Sequence, residues 1–526
     1  MYALLGKFDK PMKTVNPSRV IRTHKSSRAG IRDRTRSTAS SRDAVMTARK
    51  AEKYDVLVLG AGTGGKLIAW TMAREGKRTA SIERKYVGGA CPNIACLPTK
   101  NIIHSAKVAS LFSRHQEFGI ETGPVTVNMA GVYARKKKMV DHLIEVHLDQ
   151  FHASGAELIW GNARFIAPRT LQVALRDGGE RILTGERVFV NVGTHAAIPE
   201  IPGLADAKPM THVEVLDLQR LPDHLVVLGG GYVGLELAQA MRRFGSRVTL
   251  ITREPQLAPK EDVDVAQAIL DLFRDEGIEV MLRTQVLNIQ GISGERVQLL
   301  VEDEAGTRTI EGTDILAALG RVPNTQGIGL EKAGIEVTEH GHIRVNDRLE
   351  TTAPNVWAVG ECAGSPYFTH VSENDFNIIH TNLNGGNRST RDRLIPYCLF
   401  IDPPLARVGI NESQARVENI SYRVASLPME AVFRAQTLSE TRGFMKVMID
   451  AHSDRILGFT AFGPEAGEVM ANVQVAMLAG VPYTLLRDAV FTHPTMSEGL
   501  GMLFALVSKQ RDAAVEKHKY APVDQK

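Results

Sequence analysis

Cys91 and Cys96 are the residues in this chain best suited to redox chemistry. They lie five positions apart in Gly88-Gly89-Ala90-Cys91-Pro92-Asn93-Ile94-Ala95-Cys96-Leu97-Pro98-Thr99-Lys100. In a regular helix that spacing is too long for a disulfide, whose Cα atoms must lie within about 7 Å. The flanking glycines and two prolines would distort a first helical turn and bring the sulfurs together. A helix N-terminus also lowers a thiol pKa and makes the thiolate available. In a reducing, cytoplasmic setting such a pair is more often catalytic than structural; a buried inert pair is the alternative. Cys362 and Cys398 have no partner at useful spacing and read as structural. Four cysteines in 526 residues exclude a secreted disulfide scaffold. They also lack the paired spacing of a structural zinc site, so no metal centre is expected.

The elements that must position this pair come in two matching sets. Asp55-Val56-Leu57-Val58-Leu59 reads as a strand, and Gly60-Ala61-Gly62-Thr63-Gly64-Gly65 follows at once. A helical stretch and a second strand, Thr79 to Glu83, complete the unit. Glu83 falls 18 positions after Gly65, where an acid that bonds a ribose is expected in a dinucleotide fold. Gly60 permits the tight turn, and Gly62 lets a pyrophosphate approach the helix N-terminus. The pattern returns as the strand Leu225 to Leu228, the turn Gly229-Gly230-Gly231-Tyr232-Val233-Gly234, a helix containing Glu236, and the strand Arg247 to Ile251. Here Thr252-Arg253 replaces the acid. An arginine there suits a 2′-phosphate, which favours NADP over NAD; a solvent-facing arginine is the alternative reading. Two such fingerprints imply two bound nucleotides, or one bound and one decayed.

Composition narrows the class further. The chain is 43% hydrophobic and 23% charged, close to the globular average. No uncharged apolar run approaches the ~18–20 residues of a membrane span. Residues 1–50 carry 13 Lys/Arg against 3 Asp/Glu, whereas the remainder carries 50 against 56. The body is therefore mildly acidic, which argues against a nucleic-acid groove. The basic segment 1–50 lacks apolar periodicity and reads as a disordered tail. Three origins compete: a solvated tail or mis-assigned start with Met46 as initiator, an organellar transit peptide, or a basic arm for an acidic partner. Residues 511–526 read as a charged, frayed end.

Taken together, these motifs resemble the class I pyridine nucleotide-disulfide oxidoreductases, the family of glutathione reductase, dihydrolipoyl dehydrogenase and mercuric reductase. The resemblance runs from about Tyr54 to Gln510. It also covers Gly320-Arg321-Val322-Pro323-Asn324, the strand end Gly360-Glu361, and His493-Pro494-Thr495-Met496-Ser497-Glu498. It implies an α/β fold with two Rossmann-like domains and a C-terminal α+β dimerisation domain. The expected spans are 51–205 with 318–390 for FAD, 206–317 for NAD(P), and 391–510 for a homodimer interface. The apolar helical stretch Ala466 to Ala479 is consistent with such an interface or with an internal core.

By the same resemblance, Cys96 would take electrons from the flavin and Cys91 would attack substrate. Lys100 and Glu236 would form an ion pair beside the flavin, and Tyr232 would gate the nicotinamide pocket. Arg321 and Glu361 would lie near the flavin, with Glu361 one methylene longer than the usual aspartate. Ala90 and Ala95 stand where threonine and glycine are common in the family. His493 would shuttle a proton to the partner subunit's thiols, with Glu498 fixing its tautomer. The implied activity passes electrons from NADPH through FAD to the Cys91–Cys96 disulfide, and on to a small disulfide, oxidant or metal ion. Dihydrolipoyl dehydrogenase-type and mercuric reductase-type activities are alternatives. The latter is disfavoured because no cysteine follows Cys398, and the former because Thr252 replaces the acid of NAD-type sites. A non-catalytic flavin-binding redox sensor is a further alternative.

Overall fold

The computed structural model describes residues 51–391 and 393–507. The expected basic tail, 1–50, and charged end, 511–526, lie outside the described residues.

The first glycine turn follows a fully apolar run. Val56 to Leu59 is buried on both faces, as a central parallel strand must be. Strand Glu52–Leu59 lies between Thr79–Glu83 and Glu180–Val190, all parallel. Outside them run Glu157–Ala167 and Val356–Ala358, also parallel to their neighbours. Two of these strands extend past their parallel neighbours within the one six-stranded sheet. Glu157–Ala167 pairs with Thr79–Glu83 over its first residues and then antiparallel with Thr170–Leu175, which pairs in turn with Glu180–Val190. This antiparallel meander has no counterpart in the expected strand–helix–strand unit. It arises because an 11-residue strand outruns its short parallel neighbour, and its remaining backbone groups need partners.

The second glycine turn heads its own parallel sheet, ordered Asp314–Ala317, His224–Leu228, Arg247–Ile251, Glu279–Met281. A three-stranded antiparallel sheet, Gln285–Ile292, Arg296–Asp303 and Gly306–Gly312, follows in the chain. The C-terminal part is a five-stranded antiparallel sheet. Its buried side chains pack with those of helices Ala466–Leu478 and Gly499–Ala505 in one apolar core.

A buried polar joint ties the second glycine-turn unit to this C-terminal sheet. Lys446 donates to Asp262 at 2.9 Å and to Asp264 and Glu412. Asp262 also accepts from the Ser413 amide and hydroxyl. The Lys446 and Asp262 side chains are both almost fully buried, so each depends on the other. Among the described residues no helix is long and apolar enough to cross a membrane.

Candidate active site

The two glycine turns are alike in atomic detail. Gly60 and Gly229 have φ of +100° and +112°, a region that disfavours any side chain. A Cβ on Gly65 would lie 2.2 Å from the Gly60 carbonyl oxygen, and one on Gly234 would lie 2.2 Å from that of Gly229. In both turns the third glycine lets the helix settle directly on the strand. Gly62 and Gly231 are the N-caps of helices Thr63–Arg74 and Tyr232–Phe244, with no side-chain cap. Each turn thus presents the positive helix end to an anion; in the first, Gly64 N and Gly65 N already donate to Ser372 and Asn191. Glu83 closes the first unit. It accepts from Ala61 N at 2.8 Å and from Lys85 N and Tyr86 N. A carboxylate has about four acceptor sites, so capacity remains for a ribose hydroxyl. These residues fit the adenosine diphosphate half of FAD.

The cysteine segment rests on this first turn. A Cβ on Gly89 would lie 2.6 Å from the Gly62 Cα. Cys91 lies in the short helix Ala90–Ile94, and Cys96 is the first residue of helix Cys96–Ser113. Ala95, at φ −138° and ψ −107°, breaks the two apart. The distortion expected from the glycines and prolines is thus a complete interruption of the helix. Both cysteines are free, and each shifts the titration of the other. The Cys91 S–H donates to Cys96, and burial opposes the charge. Thr369 and Lys100 then add to the lowering, which brings Cys96 to about 6. Cys91 is pushed up by giving that hydrogen bond, then by burial and by the Cys96 charge. Cys96 Sγ lies 3.4 Å from Thr369 Oγ1. Burial pushes Cys362 and Cys398 up to about 11, as suits unreactive thiols.

One turn along the same helix, Lys100 Nζ donates to both carboxylate oxygens of Glu236, at 3.0 and 2.8 Å. Glu236 Oε1 also accepts from Phe400 N, and Lys100 lies over the Phe400 ring. This pair bridges the dithiol helix to the helix of the second glycine turn. Tyr232, at that helix's first position, donates to Glu261 Oε1 at 2.6 Å and stacks on Tyr397, which donates to the same oxygen. Arg253 is 87% exposed, with Glu254 at 3.7 Å. Arg321 lies 3.4 Å from Glu361, and Thr194 donates to Glu361.

His493 and Glu498 meet as their spacing suggested, with His493 Nδ1 2.8 Å from Glu498 Oε2. Glu498 is an N-cap residue behind the ring, while the His493 side chain is 66% exposed. Val475, Leu478, Leu485, Val490 and Leu506 of the same C-terminal part are exposed too. Sequence reading missed Thr369, Glu261 and Tyr397. Thr369 is 273 positions from Cys96, and no local spacing announces such a contact.

Two dinucleotide turns with a dithiol held between them define a flavin-dependent disulfide oxidoreductase. The chain belongs to the pyridine nucleotide-disulphide oxidoreductase family: that family matches residues 54–375, and its dimerisation domain matches residues 395–503. It is 37% identical to the probable pyridine nucleotide-disulfide oxidoreductase RclA of Escherichia coli, over 86% of this chain and 99% of that protein. A mercuric reductase of Acidithiobacillus ferrooxidans is 32% identical, over 92% of this chain and 86% of that one. Among solved structures, the Cu(II) complex of the HOCl-induced flavoprotein disulfide reductase RclA superposes with a TM-score of 0.79. It shares 36% identity, over 87% of this chain and all of that one. The resemblance, the fold class and the assignment as a flavoprotein enzyme are therefore correct.

Proposed function

We propose that this chain is an NADPH-dependent flavoprotein reductase that acts through Cys91 and Cys96 on a small disulfide, oxidant or metal ion. One observation carries the reading. The dithiol segment packs on the first glycine turn through Gly89, and its helix is tied to the second through Lys100–Glu236. The thiols thus lie between the two places where nucleotides would bind.

FAD held here would supply two-electron transfer between the nicotinamide and the disulfide. Gly60, Gly62, Gly65 and Glu83 hold its adenosine diphosphate, and Arg321 and Glu361 lie toward its flavin end. Gly229, Gly231 and Gly234 bind the pyridine nucleotide, and Arg253 favours the 2′-phosphate of NADPH. Tyr232 gates the nicotinamide pocket. Cys96 holds the stable thiolate, and Cys91 attacks the substrate. In a homodimer, the partner subunit's His493 moves the proton at the Cys91 sulfur, with Glu498 holding the tautomer. The FAD-binding unit spans 51–205 and 318–390, the NADP unit 206–317, and the dimer unit 391–510. The relatives' names, mercuric reductase and a Cu(II) complex among them, make metal ions candidate substrates beside disulfides.

The test is a yellow purified protein whose flavin bleaches on anaerobic NADPH addition, followed by steady-state turnover. Acceptors to screen are lipoamide, glutathione disulfide, Hg(II), Cu(II), quinones and hypothiocyanous acid. Cys91→Ser should abolish turnover with the preferred acceptor while leaving bleaching intact. A protein that bleaches but turns over no acceptor would support a redox sensor instead.

A further inference from the structure

A lysine and a histidine outside the expected site flank the segment that carries Cys91. Lys66 sits one turn into helix Thr63–Arg74, its amide bonded to the Gly62 carbonyl. Its Nζ lies 2.5 Å from His147 Nε2. The tautomer follows from the other ring nitrogen. His147 Nδ1 lies 2.5 Å from the Leu143 carbonyl oxygen, which can only accept, so Nδ1 carries the proton and Nε2 is a bare acceptor. The ammonium is the donor.

His147 is buried and touches the cysteine segment itself. A Cβ on Gly88 would lie 2.8 Å from His147 Cδ2 and 2.9 Å from the Pro92 ring. Trp70, one turn beyond Lys66, closes the other side, with its ring centroid 5.8 Å from the ammonium and 5.9 Å from that of His147. The ammonium is thus fixed between its own helix, helix Met129–Ser154 and the Gly88–Pro92 segment. Burial lowers this ammonium to about 8, and the charges of Cys91 and Glu373 oppose that lowering, so it is a cation at neutral pH. Burial holds His147 neutral, near 4, so it adds no competing charge.

We propose that Lys66, held in place by His147, is the resident counter-cation of the Cys91 sulfur and sets the reactivity of that thiol from within the same subunit. The inference rests on the proposed role of Cys91 as the attacking thiol. In that step the Cys91 thiolate attacks a substrate sulfur, and the sulfur–sulfur bond breaks. The leaving thiolate departs with the electron pair, and a mixed disulfide forms. Cys96 then attacks Cys91 Sγ, releases the second thiolate and restores the Cys91–Cys96 disulfide. Negative charge sits on or next to Cys91 throughout, where a fixed cation stabilises it. His147 is a positioning residue, because it acts only through Lys66.

The test is the pH profile of iodoacetamide alkylation in flavin-loaded Cys96→Ser enzyme, where Cys91 is the remaining thiol of the pair. Removing a neighbouring cation raises a thiol pKa by about one to two units. The thiolate fraction at neutral pH then falls about tenfold per unit, while a Brønsted slope of ~0.4–0.5 restores about threefold. Lys66→Gln should therefore slow alkylation about 3- to 10-fold near neutral pH and move the profile's midpoint up by about one to two units. Above about pH 8, where Lys66 itself loses its charge, the two profiles should converge, which a merely structural defect would not produce. Lys66→Arg should keep the parent profile, and His147→Leu, measured in parallel, should move it in the same direction as Lys66→Gln. The proposal is overturned if Lys66→Gln superimposes on the parent, or if Lys66→Arg falls as far as Lys66→Gln. Should Lys66→Gln fail to fold with flavin, an unmoved His147→Leu profile overturns it equally. Turnover separates the two readings. A Cys91→Ser enzyme that turns over the preferred acceptor as fast as the parent would refute the assigned roles, whatever Lys66 does.

Discussion

The sharpest test of the dithiol's geometry is to remove the Cys91 hydrogen and leave Cys96 in place. The hydrogen bond from Cys91 is the largest cause that lowers Cys96 from 9.0 to about 6. A hydrogen bond to a charged acceptor contributes ~1.5–3 kcal/mol, and one pKa unit corresponds to about 1.4 kcal/mol. Cys91→Ala should therefore raise the Cys96 midpoint by about one to two units, to roughly 7–8. Cys91→Ser keeps a hydroxyl donor at the same place and should stay near 6. The sign is fixed: losing a donor to the thiolate favours the thiol, so less thiolate is present at neutral pH. Both variants hold a single active-site thiol, so no coupled titration complicates the comparison. Cys362 and Cys398, near 11, stay protonated through the transition. The assay is thiolate ultraviolet absorbance against pH, with the long-wavelength charge-transfer band of thiolate on oxidised flavin as a second reporter. Equal midpoints in the two variants would refute the reasoning. Both near 6 would assign the lowering to Lys100 and Thr369, and both near 9 would mean that no donor reaches Cys96.

Arg253→Ala should lower kcat/KM for NADPH about 10- to 100-fold and leave NADH nearly unchanged, because the 2′-phosphate is the group that NADPH adds for the guanidinium to bind; equal losses with both coenzymes would count against this role. Lys446→Met leaves Asp262 charged and buried without its cation, and should destabilise the fold by about 3–5 kcal/mol in denaturant melts; a change under about 1 kcal/mol would mean that water reaches the site. Burial lowers the His212 pKa to about 4, so the unfolded chain binds its proton first as pH falls. Its contribution is complete above about pH 6.5 and declines as pH drops toward 4, and His212→Gln should flatten that part of the stability profile. Subunits carrying His493→Gln mixed with Cys91→Ser subunits should regain turnover after exchange, since one composite site in the heterodimer is intact; an inactive mixture with proven exchange would remove the trans-acting histidine.

The parts of this molecule legible in the sequence are those whose geometry is local. Gly60, Gly65, Gly229 and Gly234 announce themselves because a strand must turn into a helix within six residues, and only a missing Cβ allows it. Cys91 and Cys96 could be paired because their own flanking residues break the helix between them. His493 and Glu498 meet over five positions. What stayed hidden is brought in by the fold. Thr369 reaches Cys96, and Tyr397 reaches Glu261, across long stretches of chain. His147 meets Lys66 and Gly88 across more than 50 positions of chain, so no local spacing announces it either. The antiparallel meander was hidden for a related reason: strand length is legible in sequence, but which neighbour runs out first is not.

The two glycine turns also differ in a way that matters for what each would hold. In the first turn, Gly65 N donates to the Asn191 side chain and Gly64 N to Ser372. Asn191 in turn donates to the Val359 carbonyl, so the ends of two neighbouring parallel strands, Glu180–Val190 and Val356–Ala358, converge on the loop. A Cβ on Gly62 would strike Asn191 at 2.5 Å. Around Gly231 the corresponding space is open, with nothing within 4 Å of a Cβ position. A loop braced by distant side chains is preorganised for a group that stays bound, since ordering it costs nothing further at binding. An open loop beside a tyrosine held by a single hydrogen bond suits a ligand that must enter and leave in every cycle. The same strand–turn–helix unit thus supports a resident cofactor at one copy and an exchanging coenzyme at the other, and the difference lies in the residues that surround the turn.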